Sequence, residues 1–151
     1  MPLFNTDGVL PPSDTPILMT LNEVEKYFTN NDNRRRLFTD FKKWLSMVNI
    51  SSIEHLYFDG SFIESFKKDG ELFDTDKTHP KDIDIAIVFK TKNDLESFTD
   101  NDQISDITPR KFKIDIVVSA YIDDEFCRLP FGIFANSKTK KCKKGFVELK
   151  L

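Results

Sequence analysis

The chain has 151 residues and a net charge of only −3 at pH 7, so the whole molecule offers no strong positive field for nucleic acid. A chain of this length can bury one core, and we therefore expect a single domain over residues 1–151. The two cysteines and two histidines lack the spacing of a zinc site. No apolar run is long enough to cross a membrane and the N-terminus lacks the features of a signal peptide, so we expect a cytoplasmic protein.

The first third of the chain predicts a lead-in and two helices. Residues 1–20 are rich in Pro, Asp, Thr and Asn and predict an extended lead-in. Thr20 and Glu23 have the spacing of a capping box, which would open a short helix over 21–28. A longer helix over about 34–48 is predicted from apolar residues that share one helical face. These residues are Leu37, Phe38, Phe41, Trp44, Leu45 and Val48.

The remainder of the chain alternates between strands and helices. Strands are predicted at 54–59, 82–90, 112–120 and 145–151. Short helices are predicted at 61–67 and 93–98, and the segment 68–81 is a polar excursion. This alternation predicts the α/β (α+β) class, with a small mixed sheet and helices packed on it.

Three aspartates lie on the two most apolar predicted strands. Asp82 and Asp84 alternate with isoleucines and therefore share one face of a strand, and Asp115 lies between isoleucines on a later strand. Carboxylates that share an apolar sheet repel one another unless a cation lies between them. Clustered carboxylate oxygens are the ligands of hard divalent cations, so adjacent strands would create a site for magnesium.

A Gly60-Ser61 pair ends the strand that precedes these acids. Glycine allows a tight turn and a close approach of the backbone to a ligand. A helix that begins at Ser61 would direct free N–H groups towards an anion, and the Ser61 hydroxyl would add a donor. The pair therefore predicts a turn that binds phosphate.

These motifs together resemble the signature of the polymerase-beta-like nucleotidyltransferase superfamily. The resemblance rests on FDGSF at 58–62, HPKDIDI at 79–85 and the later acid Asp115. Within the superfamily, the chain is similar to small bacterial proteins of uncharacterised function with a minimal nucleotidyltransferase-like fold. Their pattern also includes stretches like DGVLPP at 7–12, NRRRL at 33–37 and KGFVEL at 144–149. The segment 62–81, between Ser61 and Asp82, is longer than the corresponding segment of the superfamily. Its extra residues either cover the active site or form a solvent-exposed loop.

The resemblance implies an enzyme that transfers a nucleoside monophosphate from a nucleoside triphosphate (NTP) to a hydroxyl. Asp82, Asp84 and Asp115 would be catalytic and hold Mg²⁺ or Mn²⁺, and Gly60 and Ser61 would bind the NTP. The acceptor is an RNA end, a protein side chain or a small molecule. The alternative is a catalytically silent nucleotide-binding module that regulates a partner, for example in a toxin–antitoxin or phage-defence system. Larger members of the superfamily have a second domain that closes over the base and the acceptor, and this chain has little room for one. A homodimer or an operon-encoded partner would supply that side of the site.

Four further features each have two interpretations. Arg34–Arg36 begin a helix, where the dipole disfavours cations, and indicate either an anionic partner or a solvated face. The basic run 138–144 is either a charged turn or a nucleic-acid contact. Asp59 either supports the metal ligands or ends its strand, and His79 is either a loop residue or a ligand.

Overall fold

A five-stranded mixed sheet with helices packed against it forms the centre of the structure. The computed structural model describes residues 10, 16–64, 66–68, 71–73, 79–123, 136–137, 142–143 and 145–151. Its elements are β1 (Ile17–Met19), α1 (Leu21–Phe28), α2 (Asp32–Met47), β2 (Ile53–Asp59), β3 (Phe66–Lys68), β4 (Glu71–Phe73), β5 (Ile83–Phe89), α3 (Lys92–Asp100), α4 (Thr108–Lys111), β6 (Ile114–Tyr121), β7 (Asn136–Ser137), β8 (Cys142–Lys143) and β9 (Val147–Leu149).

The main sheet has the strand order β1-β9-β2-β5-β6. The pairs β1–β9 and β5–β6 are parallel, and the pairs β9–β2 and β2–β5 are antiparallel. The short pairs β3–β4 and β7–β8 are antiparallel and separate from this sheet. The predicted α/β (α+β) class is therefore confirmed, because strands of both orientations alternate with helices along the chain.

Side-chain caps determine where the first two helices begin. The predicted capping box is present: the Glu23 amide donates to Thr20 Oγ1 and the Thr20 amide donates to Glu23 Oε1, each at 3.2 Å. In α2 the cap is Asn31, whose Oδ1 accepts from the Arg34 amide at 2.9 Å. Helix α2 consequently begins at Asp32, two residues before the predicted start.

The predicted apolar face of α2 is confirmed as part of the core. All six of its residues are buried: Leu37, Phe38, Phe41, Trp44, Leu45 and Val48. The Phe41 ring meets Phe58 of β2 edge to face, with 5.0 Å between ring centroids. The Trp44 indole N–H donates to the Ile104 carbonyl at 2.7 Å, so the polar end of this buried ring is also satisfied. These contacts fix α2 against the face of the sheet that carries Phe58.

The predicted helix over 61–67 is wrong. The chain instead makes a 3₁₀ turn at Gly60–Ile63 and then enters β3. A continuing helix would need the carbonyls of Ser61 and Phe62 for its own backbone hydrogen bonds. Both carbonyls accept from the side chain of Arg34, so the tertiary contact replaces the helix.

The other predicted segments contain more strand than expected. Within the lead-in, β1 joins the sheet edge, where Ile17 pairs with Val147. The polar excursion 68–81 contains β4, which pairs with β3, although residues 69–70 and 74–78 lie outside the described residues. Most of the basic run 138–144 also lies outside them. Among the helices that the structure describes, none combines the length and apolar character needed to cross a membrane.

We expect Phe58→Ala to lower the free energy of unfolding by about 3–5 kcal/mol, because this wholly buried ring contacts α2. Urea denaturation measures the loss. The control is Leu18→Ala on the edge strand β1, where Leu18 is 55% exposed, and it should cost less than about 1 kcal/mol. Equal losses in the two variants would contradict this packing of α2 on β2.

Candidate functional site

The register of three adjacent strands brings acidic residues together at one end of the sheet. Asp84 of β5 pairs with Asp59 at the end of β2 on one side and with Asp115 of β6 on the other. Asp82 lies just before β5, two residues from Asp84 and on the same side of the chain. Carboxylate oxygens of Asp82, Asp84 and Asp115 all lie within 4.8 Å of one another. We call these three residues the aspartate cluster.

The negative charges of the aspartate cluster repel one another. Burial and the nearby charge of Asp115 raise the pKa of the Asp82 carboxyl above its ordinary value of 3.8. A hydrogen bond with Asp84 and the charges of Lys113 and Lys81 act in the opposite direction but do not cancel the rise. Like charges on directly neighbouring strands destabilise a sheet. A cation between these carboxylates would remove that cost.

Gly60 makes the close approach of Asp84 to the turn possible. Its φ of +74° lies in the left-handed region that favours glycine. A Cβ atom at this position would lie 2.9 Å from Asp84 Cγ and would collide with Asp84 Oδ2. The space that glycine leaves open is thus taken by a carboxylate of the aspartate cluster. The role of Gly60 in binding a phosphate stays a prediction, and it depends on the backbone N–H groups of the turn.

A buried arginine holds the Gly60–Ile63 turn from behind. The side chain of Arg34 has no solvent exposure. Its guanidinium donates to the carbonyls of Ser61 at 3.2 Å, Glu64 at 2.7 Å and Phe28 at 3.3 Å, and also to the Phe62 carbonyl. Four carbonyls on two segments therefore converge on one cation, which fixes the turn relative to α1 and α2.

The three consecutive arginines have three different environments. Arg34 has no solvent exposure and donates to backbone carbonyls, so the interpretation as a solvated face is wrong for it. Arg35 is exposed and pairs with Asp32 at 2.5 Å, as expected of a solvated face. Arg36 lines a cleft and remains a candidate for contact with an anion.

This cleft has a volume of about 440 Å³ and is the part of the candidate site that the sequence interpretation missed. Its described lining comprises Asn33, Arg36, Leu37, Asp40, His79, Pro80, Lys81, Lys111 and Lys113. Two of these residues, Lys81 and Lys113, also act electrostatically on Asp82. The sequence did contain a signal, because a lysine immediately precedes Asp82 and another lies two residues before Asp115.

The remaining predicted residues lie around these two features. Ser61 is half-buried and follows Gly60 in the turn. Asp59 is 8% exposed and pairs with Asp84 in the strand register, so it lies beside the aspartate cluster. His79 lines the cleft. The structure thus brings together the three predicted metal ligands and the Gly60-Ser61 turn, and their chemical roles stay predictions.

Residues 2–150 match the model of a family described as a family of unknown function, DUF6932. The chain belongs to the DUF6932 family. Comparisons with curated proteins and with solved structures found no match. The description of DUF6932 assigns no activity, so a function has to be inferred from the geometry of the site itself.

In this DUF6932 protein we expect Arg34→Met to lower the free energy of unfolding by about 3 kcal/mol or more, because buried carbonyls lose their donors. The matched control is Arg35→Met, which removes an exposed arginine from the same helix turn and should cost less than about 1 kcal/mol. Urea denaturation measures both values. A tolerated Arg34→Met substitution would mean that the turn is held by other contacts.

The raised pKa of Asp82 predicts a pH-dependent effect of Asp82→Asn in metal-free buffer. Below pH 3.8 the carboxyl is protonated in both the native and the unfolded chain, so the variant and wild type should have similar stability. As the pH rises through the raised native pKa, the ionised carboxylate destabilises the wild type, and the variant should become the more stable protein. Denaturation curves from acid to neutral pH with a chelator measure this difference.

The control for this titration is Asp100→Asn at the exposed end of α3, which should change stability by less than about 0.5 kcal/mol across the range. If Asp82→Asn is less stable than wild type at neutral pH without metal, Asp82 is a structural acid. A structural acid at this position would remove the physical argument for a cation site.

Proposed function

We propose that this protein is a nucleotidyltransferase that depends on a divalent metal ion and transfers a nucleoside monophosphate from an NTP to a hydroxyl acceptor. One observation carries the proposal: carboxylate oxygens of Asp82, Asp84 and Asp115 lie within 4.8 Å of one another, with Gly60 in contact range of Asp84. Phosphoryl transfer needs metal ligands and hydrogen-bond donors to the phosphates. The clustered carboxylates can supply the ligands, and the tight turn beside them can supply the donors.

The chemistry of the aspartate cluster fits magnesium or manganese. All three ligands are hard carboxylate oxygens, and histidine and cysteine are missing from the group. Asp82 and Asp84 are half-buried whereas Asp115 is exposed, so one side of the group is open to solvent and to a substrate. Bound divalent cations would favour the ionised form of the attacking hydroxyl and stabilise the charge on the departing pyrophosphate.

The residues of the chain have separate tasks in this proposal. The aspartate cluster holds and orients the cations, and the Ser61 hydroxyl donates to a phosphate oxygen of the NTP. Arg34 keeps the turn rigid, so that these donors do not have to reorganise during the reaction. The acceptor oxygen bonds to the α-phosphorus while the bond from that phosphorus to pyrophosphate breaks, and the proton of the acceptor hydroxyl passes to solvent water.

We expect Asp84→Asn and Asp115→Asn to reduce transfer of label from an α-labelled NTP by several orders of magnitude, because each removes a charged metal ligand. Labelled product is measured with RNA, protein and small-molecule acceptors present, with Mg²⁺ or Mn²⁺ and with a chelator. The control Asp100→Asn makes the same chemical change on an exposed helix end and should keep wild-type transfer.

Thermal denaturation separates metal binding from catalysis in this experiment. Millimolar Mg²⁺ should raise the melting temperature of wild type and Asp100→Asn but not that of Asp84→Asn, since a ligand that binds only the native state stabilises it. Wild type that binds metal and nucleotide yet transfers no label to any acceptor would instead be a silent nucleotide-binding module, and the proposed reaction would be wrong.

A further inference from the structure

We propose that the basic cleft, formed by Arg36, Lys81, Lys111 and Lys113 with His79, binds the phosphodiester backbone of a single-stranded nucleic acid and leads its terminal hydroxyl to the aspartate cluster. The role as an acceptor site rests on the proposed function, whereas the binding of nucleic acid does not. The proposal selects one acceptor class from those that the chemistry of the aspartate cluster leaves open.

The basic cleft carries an excess of positive charge. Four of its nine described lining residues are cations, and Asp40 is the one acid among them. Asp40 has its own partner, because its carboxylate lies 3.7 Å from the ammonium of Lys43. Within the described residues, the four cations form no ion pair at 4.0 Å or less. On a chain with a net charge of −3, such a local excess of positive charge is the electrostatic feature expected of a site that binds an anion.

The basic cleft and the aspartate cluster are adjacent in the structure. Lys81 is the residue directly before Asp82, and the Lys113 carbonyl accepts from the Ile83 amide at 2.9 Å, so both lysines lie next to the aspartate cluster. These two lysines therefore connect the two features, with metal ligands on one side and phosphate-binding cations on the other. An anion in the basic cleft would therefore lie near the carboxylates while it contacts positive charge.

Lys113 of the basic cleft has an unusual backbone conformation. Its φ of +59° is the one positive value found for a non-glycine residue in the described part of the chain. A lysine in the left-handed region costs free energy that glycine or asparagine would avoid. Strain of this kind persists where the surroundings or the function require that side chain. Here the strained residue enters β6 two positions before Asp115 and directs the chain past the basic cleft.

The walls of the basic cleft are tied together before any ligand binds. The Asn33 side-chain amide donates to the Pro80 carbonyl at 2.8 Å, which joins the start of α2 to the segment that enters β5. The Ile83 amide donates to the Lys113 carbonyl at 2.9 Å, which joins the entries of β5 and β6. These bonds fix the relative positions of the three chain segments that carry the cations, and cations on three segments suit several successive phosphates better than a single one.

The test is fluorescence anisotropy with a labelled single-stranded RNA of about ten nucleotides, a length within the range of sites that grip a strand through its backbone. Binding is measured with a chelator and without NTP, so that no catalytic step enters. The variants are Arg36→Gln, Lys81→Gln and Lys113→Gly. The matched control is Lys92→Gln, which removes an exposed lysine at the start of α3.

Each of the three variants should weaken RNA binding about five-fold or more and reduce the slope of log affinity against log salt by about 0.7, the value for one released single-strand phosphate contact. Lys92→Gln should leave both values unchanged. Lys113→Gly should weaken binding while its melting temperature is equal to or higher than that of wild type, because glycine removes the backbone strain. Wild-type affinity in all three variants would overturn the proposal.

Two further outcomes identify the source of the bound phosphate and the meaning of a failure. If pyrophosphate or ATP displaces the RNA at equal molar phosphate, the basic cleft is a site for the nucleotide and the acceptor assignment is overturned. RNA that is bound through the basic cleft but receives no label from an NTP leaves the cleft assignment intact and contradicts the proposed reaction. If the three variants transfer label to RNA as well as wild type does, the basic cleft is not the RNA-binding site, whereas the proposed reaction still holds.

Discussion

The buried guanidinium of Arg34 is the contact on which the geometry of the site depends. A charge that has no solvent exposure is tolerated only when hydrogen bonds satisfy it, and backbone carbonyls from the Gly60–Ile63 turn and its neighbours do so. The same bonds end the turn before it can become a helix. As a result, the loop at the end of β2 is rigid. Gly60 in this loop lies so close to Asp84 that there is no room for a side chain.

The fold holds the carboxylates of the aspartate cluster close together although their charges repel one another. Asp84 and Asp115 occupy neighbouring register positions, and Asp82 reaches the same group from the chain just before β5. A sheet built only for stability would place pairs of opposite charge or apolar residues there. Sites where local stability is sacrificed in this way are the usual locations of function, which is why the aspartate cluster and not the larger core supports the proposed reaction.

Positive charge surrounds the aspartate cluster in an ordered manner. Lys81 immediately precedes Asp82 and Lys113 lies two residues before Asp115, so a cation comes just before each acid-bearing strand in the chain. The chain thereby alternates the signs of its charges along the rim of the sheet. In the proposed reaction a phosphate-bearing substrate would bind both to the lysines of the basic cleft and to metal held by the aspartate cluster, although the protein as a whole carries a net charge of −3. Both substrates of the proposed reaction are such molecules.

The sequence by itself determined the elements with strong periodicity and the identity of the clustered acids. The capping box of α1, the apolar face of α2 and the alternation around Asp82, Asp84 and Asp115 are local patterns, and the spacing of side chains along a helix or strand does not depend on the rest of the molecule. The tertiary structure decided the turn after Gly60, the burial of Arg34 and the assembly of the basic cleft. Each of these depends on contacts between segments far apart in the chain, such as the 27 to 30 positions between Arg34 and its carbonyl partners at Ser61 and Glu64, and no local pattern encodes them.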